Sequence, residues 1–241
     1  MVSIFKKLGP GLLFAGAAIG VSHLVQSTRA GADFGYGLIW ALLLVNIIKY
    51  PFFQFGPRYA MATGESLLEG YKRLGKGILA VYYILNLGTM FTIQAAVTAV
   101  TAGIAAMLLG VDANMWVSVI IALFCFAVLW RGRYGWLDKS MKIIVLVLSI
   151  STLVAVLFAL GQNTDVPIVQ RLPENTMEWT FLIAFMGWMP GPMDISVWHS
   201  VWAIEKKKIN PSASLASSLF DFNIGYLVTL VLGLCFIVLG A

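Results

Sequence analysis

The chain alternates between long apolar runs and short polar or basic loops. Seven runs approach or exceed the roughly 20 residues a bilayer crossing needs: 10–28, 36–56, 78–109, 113–130, 141–161, 179–203 and 217–240. They are long and lack period-two alternation, which predicts helices rather than barrel strands. The third is overlong, so it tilts or extends past the bilayer. Two runs are poorly suited to staying helical. The sixth contains Met186-Gly-Trp-Met-Pro-Gly-Pro-Met-Asp194, where Pro190 and Pro192 each lack a backbone donor and Gly187 and Gly191 add freedom. The first is loosened by Gly9, Gly11, Gly16 and Gly20, and Gly20-Val-Ser-His23 sets polar groups in mid-span. Ser22 with Gln26, and His23 with Ser27, are i,i+4 neighbours, so a helix here has one wet side.

Non-helical backbone at membrane depth needs a covering of protein or a water-lined cavity. A carboxylate there, such as Asp194, marks a candidate functional site. The alternative is a proline kink near the outer interface with Asp194 in water. Two broken runs separated by four unbroken ones predict an all-α, polytopic, inverted-repeat fold of the five-plus-five, leucine-transporter-like kind. Its cargo site lies where the broken helices meet. On that pattern residues 1–161 form the first repeat and 162–178 an outer connection carrying Asp165, Pro167, Pro173 and Glu174. Residues 179–241 then begin the second repeat, and the missing helices eight to ten predict a fragment or a truncated product.

Other polar positions leave choices open. The third run carries Asn86, Gln94, Thr98 and Thr101, a stripe that serves either as glue between helices or as a permeation path. Lys49 either pairs with Asp221 of the seventh helix or snorkels to the interface; facing the site, it would repel cations. His23 is either a ligand or proton carrier, or a histidine bonded to a neighbouring helix. His199 either relays protons or sits at the interface.

Composition narrows the class. The chain is 60% hydrophobic and 11% charged with mean hydropathy +0.88, against about 25% charge in a soluble domain, so it is an integral membrane protein. The net charge of +5 does not point to nucleic acid, because the basic residues sit in short loops. With the N-terminus inside, 13 of the 16 Lys and Arg fall on the cytoplasmic side, against Arg29 and Arg171 outside and Lys49 within a helix (16 − 2 − 1). That bias predicts a cytoplasmic N-terminus in a bacterial-type inner or plasma membrane, with the C-terminus outside after seven crossings. Lys6-Lys7 followed by Ala15-Gly-Ala17 mimics a secretory signal, but the apolar run is longer than a signal core. Cys125 and Cys235 lie in apolar runs and imply neither a disulfide nor a metal pair. Two histidines, no His-Glu-x-x-His and no Gly-x-Ser-x-Gly speak against an enzyme. No cofactor is expected; the partners are the lipid bilayer and a metal ion or small solute.

Gly9-Pro-Gly11, Ala30-Gly-Ala-Asp-Phe-Gly-Tyr-Gly-Leu-Ile-Trp40 and Ala62-Thr-Gly-Glu-Ser-Leu67 resemble the first two helices of the Nramp family of divalent-metal transporters. Met189-Pro190 and Trp198-His-Ser200 resemble its sixth helix. The resemblance implies uptake of manganese or ferrous iron, usually with protons, by alternating access. The family's first broken helix reads Asp-Pro-Gly-Asn, with Asp and Asn as metal ligands. Here the Asp position is Gly20 and the Asn position is His23. The family's Met-Pro-His becomes Met189-Pro190-Gly191, and the acids of its third helix have no counterpart. The implied cargo site draws on Gly20, Ser22, His23, Gly187, Met189 and Asp194, with His23, Met189 and Asp194 as metal ligands. Imidazole and thioether suit late transition metals, while Asp194 supplies the negative charge a doubly charged ion needs. His199, Lys49 and Asp221 are the candidate proton or charge relay. Two alternatives stand beside this: a carrier of an organic or amino-acid-like solute on the same fold, and a truncated, non-transporting membrane protein.

Overall fold

The computed structural model describes residues 8–112, 114–132, 134–161 and 166–241; Lys6, Lys7 and Asp165, named above, and Arg133, one of the 13 cytoplasmic basic residues, lie outside the described residues. The first apolar run folds in two pieces. α1 (Pro10–Ala18) carries proline at its first position, where the missing N–H costs nothing. Past a break at Ile19 and Gly20, a π-helical turn (Ser22–Ser27) continues into α2 (Thr28–Phe34), and the two pieces are bent by 49°. This run therefore reaches residue 34 rather than 28.

α3 (Ile39–Thr63) stays helical through Pro51 and Pro57 and ends at Gly64, whose φ of 76° suits glycine. A short helix, α4 (Leu67–Leu74), follows, with Glu69 in its first turn and Lys72 and Arg73 in its last, each complementing the helix dipole. Then come α5 (Lys76–Leu109), α6 (Met115–Arg131) and α7 (Tyr134–Leu160). The sixth run is split into α8 (Thr176–Trp188) and α9 (Ile195–Ile209), and α10 (Leu215–Gly240) closes the chain with a Ser214–Ser217 capping box.

Among the described residues, α3, α5, α7 and α10 are long and apolar enough to cross a membrane, and the bent α1–α2 pair makes a fifth candidate. α6 is an apolar helix of 17 residues. α8 and α9, with 13 and 15 residues, are each too short to cross because the prolines end the ladder between them. The protein is an all-α polytopic membrane protein with its first and sixth spans broken.

Two compact units are present, one of residues 1–70 and 138–241, the other of residues 71–137. In the second unit α5 packs against α6. In the first, α10 runs alongside α1, the π-turn and α2, and α3 lies against both α9 and α10. Helices in lipid have little hydrophobic drive to associate, so close backbone approach through small residues matters. A Cβ at Gly225 would fall on the Gly11 carbonyl, and one at Gly240 on the Thr28 carbonyl. These contacts press α10 onto both halves of the broken first span. On the opposite face of α3, Ile47, Phe52 and Phe55 are exposed, as lipid-facing side chains are.

Candidate site at two abutting helix breaks

The two breaks touch. A Cβ at Gly191 would stand 3.6 Å from Cα and Cβ of Ala18, the last residue of α1. Ala18 and Ile195 also share a buried cluster with Phe14, Phe53, Phe222 and Tyr226. The prolines that end α8 and the glycine that loosens α1 thus serve one place in the molecule.

At the first break the backbone turns sharply: Gly20 N–H donates to the Ala18 carbonyl at 2.9 Å, and Leu24 N–H to the Gly20 carbonyl at 2.9 Å. Ser22 Oγ donates to the same Ala18 carbonyl at 2.6 Å. His23 is fully buried, with Nδ1 3.1 Å from the Ala18 carbonyl and 2.9 Å from Ser22 Oγ. Its Nε2 lies 3.0 Å from the Thr229 carbonyl of α10. Both ring nitrogens lie within hydrogen-bonding distance of a partner, with the tautomer setting which one donates, and the ring bridges the broken span and α10. Of the alternatives for His23, this geometry is that of a histidine bonded to its neighbour.

At the second break α8 ends at Met189, whose backbone is extended, and the Met189–Pro190 peptide is cis. The last carbonyls of a helix have no partner in their own ladder. Here Lys49 Nζ donates to the carbonyls of Met186 at 2.8 Å, Gly187 at 2.8 Å and Met189 at 2.7 Å. Those distances are those of charge-assisted bonds. The Met189 side chain lies in a buried apolar cluster with Ala30, Leu42, Phe185 and Ile237. Asp194, half-buried, stands just before α9 and makes no side-chain cap bond to it.

Pairing of Lys49 with Asp221, one of the two roles open to it, is not what the structure holds. Asp221 accepts from Gly9 N–H at 2.9 Å and Gly11 N–H at 3.0 Å, so it caps α1, while Lys49 caps α8. Helix ends freed within the bundle leave backbone groups without a ladder partner, and each charge satisfies one such end. His199 is buried among Phe14, Phe222 and Trp202, and among the described residues neither ring nitrogen has a hydrogen-bond partner. Among the described residues Lys49, His199 and Asp221 share no hydrogen bond with one another. Nor are His23, Met189 and Asp194 gathered as a ligand set: the imidazole is occupied and the thioether is buried in apolar contacts. Among the described residues no cluster of three or more His, Cys, Asp or Glu is placed to hold a metal ion.

Sequence reasoning passed over a polar ladder between α3 and α10. Tyr226 hydroxyl donates to the Asn46 carbonyl at 2.6 Å, Tyr50 hydroxyl to Asn223 Oδ1 at 2.7 Å, and Arg58 Nη2 to Gln54 Oε1 at 2.7 Å. Gln54 Nε2 lies within bonding reach of both Tyr50 and Asn223. The signal available was the i,i+4,i+8 spacing of Tyr50, Gln54 and Arg58 in an apolar helix. At the Asp221 end a cavity of about 250 Å³ is lined by Pro10, Met61, Lys206, Ser214, Ser218 and Asp221. Lys206, beyond the apolar part of α9, donates to the Leu8 carbonyl at 3.0 Å. Burial, then the nearby Lys142, lower its pKa below the usual lysine value, with Asp138 and Asp221 acting the other way.

The fold and site define an integral membrane protein with two interrupted spans in contact. The chain belongs to the Nramp family: the model described as natural resistance-associated macrophage protein-like matches residues 11–241. An uncharacterised protein of Pasteurella multocida (strain Pm70) is 38% identical over 245 residues, covering 99% of this chain and 56% of the relative. This chain thus spans little more than half the length of that relative. The divalent metal cation transporter MntH of Verminephrobacter eiseniae is 29% identical over 90 residues, 36% of this chain and 20% of that protein. The protein of the same name from Staphylococcus saprophyticus is 31% identical over 83 residues, 34% of this chain and 19% of that protein.

Proposed function

We propose that the chain is the cargo-handling part of a secondary transporter of divalent cations, manganese- or iron-like, working by alternating access. The observation that carries this reading is the contact between the breaks, with Gly191 against Ala18. Bare helix ends meeting inside a bundle can replace part of an ion's water. Family membership and the naming of the MntH relatives as divalent metal cation transporters support a divalent cation as cargo. Asp194, half-buried and without a cap bond, is the side chain that supplies negative charge. Backbone oxygens near Gly20 and Gly187 and the Met189 sulfur join it as the breaks rearrange. On this reading residues 1–161 are the first repeat, 162–178 the outer connection and 179–241 the start of the second. The N-terminus is cytoplasmic, in a bacterial-type inner membrane.

A second reading has one observation in its favour: the Lys49 ammonium stands at the break, and a fixed positive charge suits a solute bearing a carboxylate. Isothermal titration of the purified chain with manganese, magnesium and a panel of amino acids separates the two. The metal reading expects manganese to bind and Asp194→Asn to weaken it by about tenfold or more, since a paired charge is lost. Unchanged manganese affinity in the variant discards the site as drawn. Saturable binding of an amino acid in place of manganese establishes the second reading.

A further inference from the structure

The carbonyl group at the end of α8 has the make-up of a cation site. Met186, Gly187 and Met189 direct three backbone oxygens at one point, at the partly negative end of a helix. Unwound carbonyls of this kind coordinate small cations in broken-helix carriers. That point is filled by the Lys49 nitrogen, at 2.7–2.8 Å from each oxygen. An ammonium has three N–H donors and no acceptor, so the number of donors equals the number of oxygens. The stem reaches across from α3, two residues before Pro51, and the side chain is half-buried.

We propose that the Met186/Gly187/Met189 carbonyl cluster is a cation-binding site whose resident ion is the tethered ammonium of Lys49. With the ammonium removed, the cluster takes a free monovalent cation of the ammonium or sodium class. Neutral carbonyls alone leave a doubly charged ion's desolvation uncompensated, which is why the class is monovalent. While Lys49 is in place it locks α3 to the broken sixth span. A cargo cation entering the break meets a positive charge until that side chain withdraws. The cluster shares the Gly187 oxygen with the cargo site drawn above, but its occupation by Lys49 is independent of the transport reading; only the consequence for cargo rests on that reading.

The test uses the full chain purified in detergent, with choline chloride as background salt. Lys49→Ala removes the ammonium and most of the stem; Lys49→Met keeps the stem and fills its space. Each is expected to lose on the order of 5 °C in melting temperature through the unmade bonds. Ethylammonium is expected to restore at least half of the loss in Lys49→Ala, and sodium to raise Lys49→Met, with no such response in the unsubstituted protein. Choline, which has no N–H, restores neither. Should Lys49→Ala fail to fold, the sodium response of Lys49→Met decides alone. Equal effects of choline and the small cations, or variants as stable as the parent, overturn the proposal. Manganese titration of the same samples separates this from the transport reading. No manganese binding with the small-cation response intact sinks the transport reading and leaves the site standing. Manganese binding without any small-cation response does the reverse.

Discussion

At the scale of single residues, the charges inside this membrane protein serve backbone ends. Asp221 holds two N–H groups at the start of α1, and Lys49 holds three carbonyls at the end of α8. Both charges were visible in the sequence, and so was the need for each to find a buried partner. Which partner was not visible. The sequence shows two opposite charges on α3 and α10, but it does not show that the breaks bring free backbone acceptors to one and donors to the other. His23 makes the same point: its polarity in mid-span was legible, whereas its engagement by the Ala18 and Thr229 carbonyls depends on how α10 lies. Asp221→Ala leaves the Gly9 and Gly11 N–H groups bare in a buried place. Bonds to charged groups contribute about 1.5–3 kcal/mol each, so the variant is expected to lose roughly 3 kcal/mol, read as a lower melting temperature in detergent. Asp221→Asn, which keeps one acceptor, is expected to fall between. Equal stability of Asp221→Ala and the parent contradicts the capping role.

At the scale of helices, the breaks were the most legible feature. Pro190, Pro192 and the flanking glycines stop α8 before α9 begins, and Gly20 sits where α1 ends. The long apolar runs also match α3, α5, α7 and α10 to within a few residues at most ends. Less legible were the π-turn at Ser22–Ser27 and the short α4, whose polar face keeps it out of any hydrophobic count. The reach of α2 to Phe34 was also missed, because polar residues there read as a loop while the helix continues through them. Packing of α10 on the first span depends on Gly225 lying against the Gly11 carbonyl. Gly225→Leu is expected to push the two helices apart and cost on the order of 3 kcal/mol through overpacking. Gly88→Leu, at a position with open space beside it, is expected to change little. Similar melting temperatures for the two variants would show that the close approach is not what seats α10.

At the scale of the whole molecule, two spans lose their ladders side by side. Family membership covers residues 11–241, yet the chain spans 56% of its Pasteurella relative. Gly20, His23 and Gly191, three positions where the resemblance implies a departure from the family's pattern, lie at the breaks. The chemistry there is read from contacts such as that of Lys49. The most direct measurement is a disulfide between the breaks, made in native membranes with Ala18→Cys and Gly191→Cys in a background where Cys125 and Cys235 are replaced by Ala. A Cβ at Gly191 stands 3.6 Å from the Ala18 Cβ, close to the roughly 3.8 Å separation usual across a disulfide. Only the tip of the Ile195 side chain need shift to admit it. Mild oxidation is expected to join the two positions, detected as a disulfide-bonded peptide pair by mass spectrometry. Free thiols at both positions after oxidation would place the breaks apart and contradict the account.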